Sequence, residues 1–284
     1  MYKINYNQTV SQEKLEEFYK IFPWFEDPYT LEGRKRYEKA LEHAEKLLEH
    51  DWIKQLLPGK EKVNILDICG GTGIGGVALS KKLLEGGFNV GLTVLDLRRS
   101  ALSLAERFSE NELGFRARTM VHDALKVEEL GEVFDIVLLY GLTTPHFGPW
   151  DLAMLYWAVG RVLSENGVFV VDEADRSRLI FQRDYRDVFV EWAYRDRVLL
   201  NLHVDYDVYR GVVRRAYVEF PGGEKVVFLE THLWTLAESS ALAWSWFRDV
   251  DLVVLGRNRF FILAKSPRFV EEKPDLPKFI SDKK

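Results

Sequence analysis

The chain has 284 residues, 47% of them apolar and 29% charged, with a net charge of −5. This is material for one sizeable core. It disfavours a non-specific nucleic-acid binder, and the single cysteine, Cys69, rules out an intrachain disulfide or a cysteine-rich zinc cluster. No basic-then-apolar leader opens the sequence, and no apolar run approaches the roughly 20 residues of a membrane span, so a cytoplasmic protein with no membrane partner is expected.

Residues 11–57 carry amphipathic helical periodicity, densest over Leu31–Leu57 and stopped by Pro58-Gly59. The Pro- and aromatic-rich turn Phe22–Thr30 contains Trp24, Phe25 and Tyr29, which could fold over a ligand as a lid or simply cover a sheet edge. From Val63 the pattern changes. VNILDI (Val63–Ile68) reads as a strand covered on both faces, followed by a glycine-rich turn and a helix over Gly75–Glu85. Further strands are predicted at Asn89–Leu95, Arg116–Val121, Phe134–Tyr140 and Gly167–Asp172, with helices at Arg98–Ser109 and Trp150–Leu163. Such alternation predicts a doubly wound α/β fold with a mostly parallel sheet.

Beyond Asp172 the rhythm breaks. Arg176–Leu200 reads as helical, and His203–Phe220 and Lys225–Leu233 as antiparallel strands joined at Pro221-Gly222-Gly223. A helix at Leu236–Phe247 precedes strands Val250–Leu255 and Arg259–Lys265, whose short link Gly256-Arg257-Asn258 makes them an antiparallel hairpin. The expected organisation is an N-terminal helical cap (1–60), a ligand-binding α/β domain (61–176 and 235–267), an inserted lid around an acceptor pocket (177–234) and a loose tail (268–284).

The segment Asp67-Ile68-Cys69-Gly70-Gly71-Thr72-Gly73-Ile74-Gly75-Gly76 lies between the first strand and its helix, where glycines admit a ligand to the backbone and the helix N-terminus offers unpaired N–H groups. Gly71, Gly73 and Gly76 also satisfy the dinucleotide fingerprint, with Asp96 about where its ribose-binding acid belongs, so a nicotinamide oxidoreductase is a competitor. Asp67 weighs against it. Its charge would oppose a pyrophosphate but would welcome the ammonium of a methionine moiety.

The block ILDICGGTG (Ile65–Gly73) resembles the first motif of class I S-adenosylmethionine-dependent methyltransferases, with Cys69 where that family usually has a small Gly or Ala. LDLRRSALSLA (Leu95–Ala105) resembles the second motif, HDAL (His122–Leu125) the third and FDIVLLYGL (Phe134–Leu142) the fourth. The resemblance implies a seven-stranded Rossmann-like methyltransferase fold with a reversed last strand, and S-adenosylmethionine as cofactor. It places the methionine end of the cofactor at Asp67, Cys69, Gly70, Gly71 and Gly73. Asp96 and Leu97 would meet the ribose, Asp123 and Ala124 the adenine, and Tyr140 and Gly141 would face the sulfonium. Asp135 reads as a cap at the start of its strand.

His146, just past the fourth strand, is the leading general-base candidate, with Tyr140 beside it. His122, His203 and His232 read as structural. The single cysteine lies in the cofactor loop, which excludes cytosine C5 chemistry, and the Asn/Asp-Pro-Pro-Tyr motif of base-amino methylases is absent.

Nine arginines and no lysine lie in 176–215, against six acids; Arg214 and Arg215 are adjacent, so only one can face inward. They suit either an anionic acceptor or a lattice of surface ion pairs. Tyr206, Tyr209, Trp234, Trp244 and Trp246 are candidates to wall an apolar pocket. Asp172-Glu173-Ala174-Asp175 reads as an acid-rich helix start more simply than as a metal site, and no metal is expected. A small-molecule methyl acceptor is therefore expected, with an RNA or protein methyltransferase, an NAD-dependent oxidoreductase and a non-catalytic cofactor-binding subunit as alternatives.

Overall fold

The computed structural model describes residues 12–22, 25–177, 185–194, 196–221, 226–268 and 272–281. Three N-terminal helices, α1 (Gln12–Ile21), α2 (Leu31–Leu48) and α3 (Asp51–Leu56), precede the sheet. Thr30 caps α2, its hydroxyl accepting from the Gly33 N–H at 3.0 Å. The continuous helix expected to Leu57 breaks at His50, whose imidazole caps the short α3 by accepting from the Trp52 N–H at 3.2 Å.

The main sheet alternates as expected: β1 (Val63–Ile68), α4 (Ile74–Glu85), β2 (Val90–Asp96), α5 (Arg99–Leu113), β3 (Arg118–Val121), β4 (Phe134–Leu139), α6 (Pro149–Val162) and β5 (Leu163–Glu173). After an insertion come α7 (Leu236–Trp246), β10 (Phe247–Gly256) and β11 (Arg259–Pro267). The strand order is β10-β11-β5-β4-β1-β2-β3, parallel except that β11 runs against both β5 and β10. This is a seven-stranded, mostly parallel, Rossmann-like sheet of the kind the resemblance implies, with its reversed strand between β5 and β10.

Alternate residues of each strand serve opposite faces. Ile65, Leu92, Ile136 and Val170 pack under α2 and α4, while Leu66, Leu95, Val137 and Phe169 pack on α6. The order reverses between β1 and β4, which opens a crevice at the carboxyl ends of the strands where ligands bind in such folds.

The insertion is a second, antiparallel sheet: β6 (Val188–Tyr194), β7 (Arg197–Asp207), β8 (Val212–Phe220) and β9 (Val226–Thr231), in that order. Two expectations are corrected here. Val188–Tyr194 and Arg197–Leu200 are strand, not helix, because their β-branched and aromatic residues pair across the ladder from Val188↔Leu202 to Tyr194↔Arg197. The run His203–Phe220 is interrupted at Val208–Gly211, where Asp207 Oδ1 accepts from the N–H groups of Tyr209 (2.9 Å) and Arg210 (3.1 Å) and Gly211 takes φ +68°. Of the expected turn Pro221-Gly222-Gly223, the two glycines lie outside the described residues, as do residues 178–184 of the expected helix. β8 and β9 pair antiparallel across that turn, with Val218 opposite Val226. In the expected loose tail, Lys278–Ser281 form a short helix, α8, and Lys273 pairs with Glu128 at 2.7 Å. Among the described residues no helix is long and apolar enough to cross a membrane.

Candidate functional site

The glycine loop sits at the mouth of the crevice. Cys69 (φ +53°), Gly71 (+54°) and Gly73 (+79°) take left-handed conformations that turn the chain from β1 into α4. Asp67 is fully buried at the end of β1, and its Oδ2 accepts from the Gly76 N–H at 2.8 Å. A first-turn N–H of α4 that a phosphate would need is therefore taken by a carboxylate, so the glycine spacing here does not make a pyrophosphate cradle. A side chain at 76 would put its Cβ 2.8 Å from Asp67 Oδ2.

The other Asp67 oxygen, Oδ1, is buried with no hydrogen-bond partner among the described residues. Burial, and secondarily the nearby Asp96, push this carboxyl up to about 7 against the opposing pull of the Gly76 N–H and Arg36. The Cys69 thiol is raised well above its ordinary value by burial and by three neighbouring aspartates, which makes it unreactive.

Two cavities meet at this loop and share Tyr19, Cys69, Arg98, Thr143 and His146 in their walls. The larger, about 760 Å³, is lined by Asp96, Leu97, Asp123 and Ala124. Asp96 accepts from the Gly71 N–H through Oδ2 (2.9 Å) and from the Arg98 N–H through Oδ1 (2.8 Å). Asp123 caps the 3₁₀ turn Ala124–Leu130 through the Leu125 N–H at 3.0 Å. His122 lies on the same wall and contacts the Lys126 carbonyl at 2.9 Å.

The smaller cavity, about 260 Å³, holds Asp67, Gly70, Gly71, Tyr140, Gly141 and His146 together. All the expected site residues from β1, β2, β3 and β4 thus reach one crevice, apart from Gly73. That glycine packs towards Ala105 of α5 and serves as the N-cap of α4.

The segment after β4 is pinned from beneath by two buried acids. Asp172 Oδ2 accepts from the N–H groups of Gly141 (2.8 Å) and Leu142 (3.2 Å), both at positive φ, and Arg259 clasps the same carboxylate at 2.8 and 2.6 Å. Glu173 accepts from the Thr144 hydroxyl (2.9 Å) and the Ser239 hydroxyl (2.7 Å), and it also holds Arg176. Asp175 accepts from the Ser177 N–H at 2.9 Å where the chain turns helical, while the side chains of Asp172 and Glu173 are engaged beneath the loop after β4. They position a loop.

Tyr140 gives this loop its ring and not its hydroxyl, which meets His43 Nδ1 of α2 at 3.0 Å in a buried contact. Burial raises that phenol's pKa, so its expected catalytic part is revised to a structural one. His146 lines both cavities. Burial first, then Arg98 and Arg176, lower its imidazole pKa to about 4, and its Nδ1 is buried without a hydrogen-bond partner among the described residues.

The sequence did not single out the groups that close the site from the N-terminal side. Arg36 of α2 lines the small cavity next to Gly141, and burial lowers its pKa. Glu26, in the turn between α1 and α2, takes the Arg98 guanidinium in a two-pronged pair at 2.7 and 2.9 Å, and its carbonyl accepts from the Thr72 hydroxyl at 2.5 Å. The Tyr19 ring covers Arg98 at 3.8 Å. One signal was available: Arg98 stands at the N-cap of α5, where its side chain makes no cap, so it is used elsewhere.

The aromatic walls are Phe18, Tyr19 and Phe22 from α1 and Tyr217 from β8. Of the expected lid residues, Phe25 and Tyr29 are exposed and Trp24 lies outside the described residues. Tyr206, Tyr209, Trp234, Trp244 and Trp246 line neither cavity. Trp234 instead braces the loop, its indole N–H donating to the carbonyls of Thr144 (3.1 Å) and Phe147 (3.0 Å).

Arg214 and Arg215 point to opposite faces, yet both are buried, because both faces of β8 are covered. Arg214 pairs with Asp205 and Glu230, and Arg215 is held by Asn201 and Tyr185. Within the insertion the described arginines mostly form such internal pairs, and Arg176 and Arg210 reach the cavities. His203 meets the Tyr185 hydroxyl at 2.9 Å, and His232 the Gly211 carbonyl, both as structural contacts.

Comparison with known proteins finds similarity to methyltransferases. A methyltransferase-domain family model matches residues 65–167. Among solved structures, an S-adenosylmethionine-dependent methyltransferase from Clostridium acetobutylicum is similar with a TM-score of 0.61 at 19% identity, covering 87% of this chain and 98% of that one. The CcbJ methyltransferase from Streptomyces caelestis gives 0.62 at 14%, covering 92% and 99%. The sugar N-methyltransferase KedS8 from Streptoalloteichus gives 0.55 at 16%, covering 94% and 98%. No curated protein gives a significant sequence match.

Proposed function

We propose that this chain, whose residues 65–167 match a methyltransferase-domain model, moves a methyl group from S-adenosylmethionine to a small-molecule acceptor at the crevice between β1 and β4. The observation that carries this is Asp67, a buried acid that takes a first-turn N–H of α4 and keeps a second oxygen unpartnered beside the small cavity. An ammonium satisfies that oxygen; a phosphate is repelled by it.

The donor's methionine end is assigned to Asp67, Cys69, Gly70 and Gly71, with Arg36 as the partner of its carboxylate. Its ribose is assigned to Asp96 and Leu97, and its adenine to Asp123 and Ala124. When bound, the donor supplies a methyl group already activated on a positively charged sulfur. What remains for the protein is alignment and exclusion of water. Asp172 and Glu173 fix the Gly141–His146 loop that faces the methyl carbon, and α1 with the second sheet covers the acceptor side. Among the described residues, His146 is the side chain at the junction placed to receive a proton from the acceptor. On this basis α1–α3 act as a cap, the main sheet as the donor-binding domain and β6–β9 as the acceptor lid.

CcbJ, by its name, is a methyltransferase and KedS8 a sugar N-methyltransferase; their likeness extends to the fold and is compatible with a small-molecule acceptor here. Calorimetric titration with S-adenosylmethionine, S-adenosylhomocysteine and NAD tests the proposal. Micromolar binding of the two adenosyl ligands, lost in Asp96→Ala, with no binding of NAD, is the expected result. Binding of NAD alone would overturn it.

A further inference from the structure

We propose that the segment after β11, residues 272–281, belongs to the donor site: it straps the adenine end of the larger cavity, with Leu276 as the contact and Lys273 as a positioning residue. The proposal rests on the donor assignment above and deepens it. β11 runs against β5, with Lys265 opposite Val168, so it ends at the edge of the sheet away from the crevice. There Pro267 lies against Gly160 of α6, where a Cβ on the glycine would stand 3.1 Å from the proline Cβ. Further along, Lys273 Nζ stands 5.3 Å from the centre of the Trp157 ring, and Phe279 of α8 meets Trp150 edge-on at 5.6 Å. Gly160, Trp157 and Trp150 share one side of α6 and span about 15 Å of it. Met in that order, they bring the chain from the far edge of the sheet back to its carboxyl edge.

Where it arrives, Leu276 lines the larger cavity together with Leu97, Ala124 and Met154. On the assignment above, Asp123 and Ala124 meet the adenine, a flat ring with apolar faces and a polar edge. Leu276 is partly buried, and it adds apolar wall from outside the main sheet. Covering the rest of that side chain with an adenine removes further apolar surface from water and favours binding.

Lys273 acts through the turn that presents Asp123. Its Nζ donates to the Leu125 carbonyl (3.2 Å) and pairs with Glu128 (2.7 Å), both in the 3₁₀ turn Ala124–Leu130. The Leu125 N–H donates to Asp123 Oδ1 at 3.0 Å. Leu125 is thus held at one end by the acid assigned to the adenine and at the other by the strap. A segment that merely covered α6 would need neither this contact nor a residue in the cavity wall. The Lys273 side chain is 42% exposed, so water screens its pair and its share is smaller than that of Leu276.

The test uses the full chain and two probes, S-adenosylhomocysteine and 5′-methylthioadenosine, which share the adenosine half. In calorimetry Leu276→Ala should weaken both by the same factor, about three- to tenfold. Lys273→Met should weaken both about twofold, and Lys273→Arg should restore them. In the wild-type protein, amide exchange over residues 272–281 should slow about twofold or more when 5′-methylthioadenosine binds, a measurement that decides the matter even if Leu276→Ala folds poorly. The proposal is overturned by unchanged affinities in Leu276→Ala, by weakened S-adenosylhomocysteine binding with 5′-methylthioadenosine unaffected, or by exchange over 272–281 that does not respond to 5′-methylthioadenosine. Wild-type protein that binds neither probe overturns the donor assignment itself, and this proposal with it.

Discussion

Asp67 sets the acid–base behaviour of the donor end. Its folded pKa of about 7 is raised above the ordinary value, so its protonated form favours the fold at low pH, and that contribution is lost as pH rises through 7. An incoming ammonium requires the carboxylate form. Affinity for S-adenosylhomocysteine is therefore expected to rise with pH up to about 7, level off, and fall above roughly pH 8, where an α-amino group loses its proton. Asp67→Asn should flatten the rise and weaken binding by about ten- to a hundredfold, the range for one hydrogen bond to a charged group. Calorimetry between pH 5.5 and 9 decides this, and a flat wild-type profile would count against the assignment. At this scale the sequence was most informative where chemistry is local. Asp67, Asp96, Asp123 and Gly141 stand at strand ends, and each was legible from one strand and one turn. Arg36, Glu26 and the α1 aromatics were not, because their place depends on how a distant helix packs.

The loop Gly141–His146 is held as an element by Asp172 and Glu173. In Asp172→Asn the Arg259 guanidinium loses its charged partner and the left-handed Gly141–Leu142 pair loses its anchor. Breaking a buried pair of this kind costs about 3 kcal/mol, which lowers Tm by roughly 5–10 °C in a chain of this size. With the protein still folded at 25 °C, kcat should fall more than KM, since on the proposed assignment the loop would face the transferred methyl group. Thermal melting and steady-state kinetics on the same sample check both. The alternation of strands and helices to β5, and the final hairpin, were readable because each strand is a short apolar run bounded by turns. Val188–Tyr194 was not: it is charged at its centre, it follows an arginine-rich stretch, and it becomes a strand only by pairing with β7. The pairing, not local preference, decides such a segment.

Two histidines tie the stability of the whole molecule to pH. His43, under the main sheet, and His146, at the cavity junction, are both held near 4 by burial, below their ordinary value of 6.5. Below pH 6.5 the unfolded chain takes up protons that these two folded-state imidazoles refuse, so their contribution should lower stability from about pH 6.5 down to 4, outweighing the opposite contribution of the single Asp67 carboxyl over that range. Denaturant titrations at pH 7, 5.5 and 4.5 measure this decline, and His43→Gln should make it shallower. The cap is a second global feature. Removing a charge from the Glu26–Arg98 pair in Glu26→Gln should loosen α1, seen as faster amide exchange over residues 12–22, and speed S-adenosylhomocysteine release several-fold. Unchanged exchange and release would show that the cap is held by α1 packing on Tyr217 alone.

Arg98 belongs to the walls of both cavities at once, with Asp96 on one side of it and Glu26 on the other. On the proposed assignment, the guanidinium that Glu26 holds also pairs with the acid given to the ribose, so release of the by-product is expected to be coupled to opening of the N-terminal segment. Rapid mixing with excess acceptor tests this coupling: the expected outcome is a first turnover faster than all those that follow.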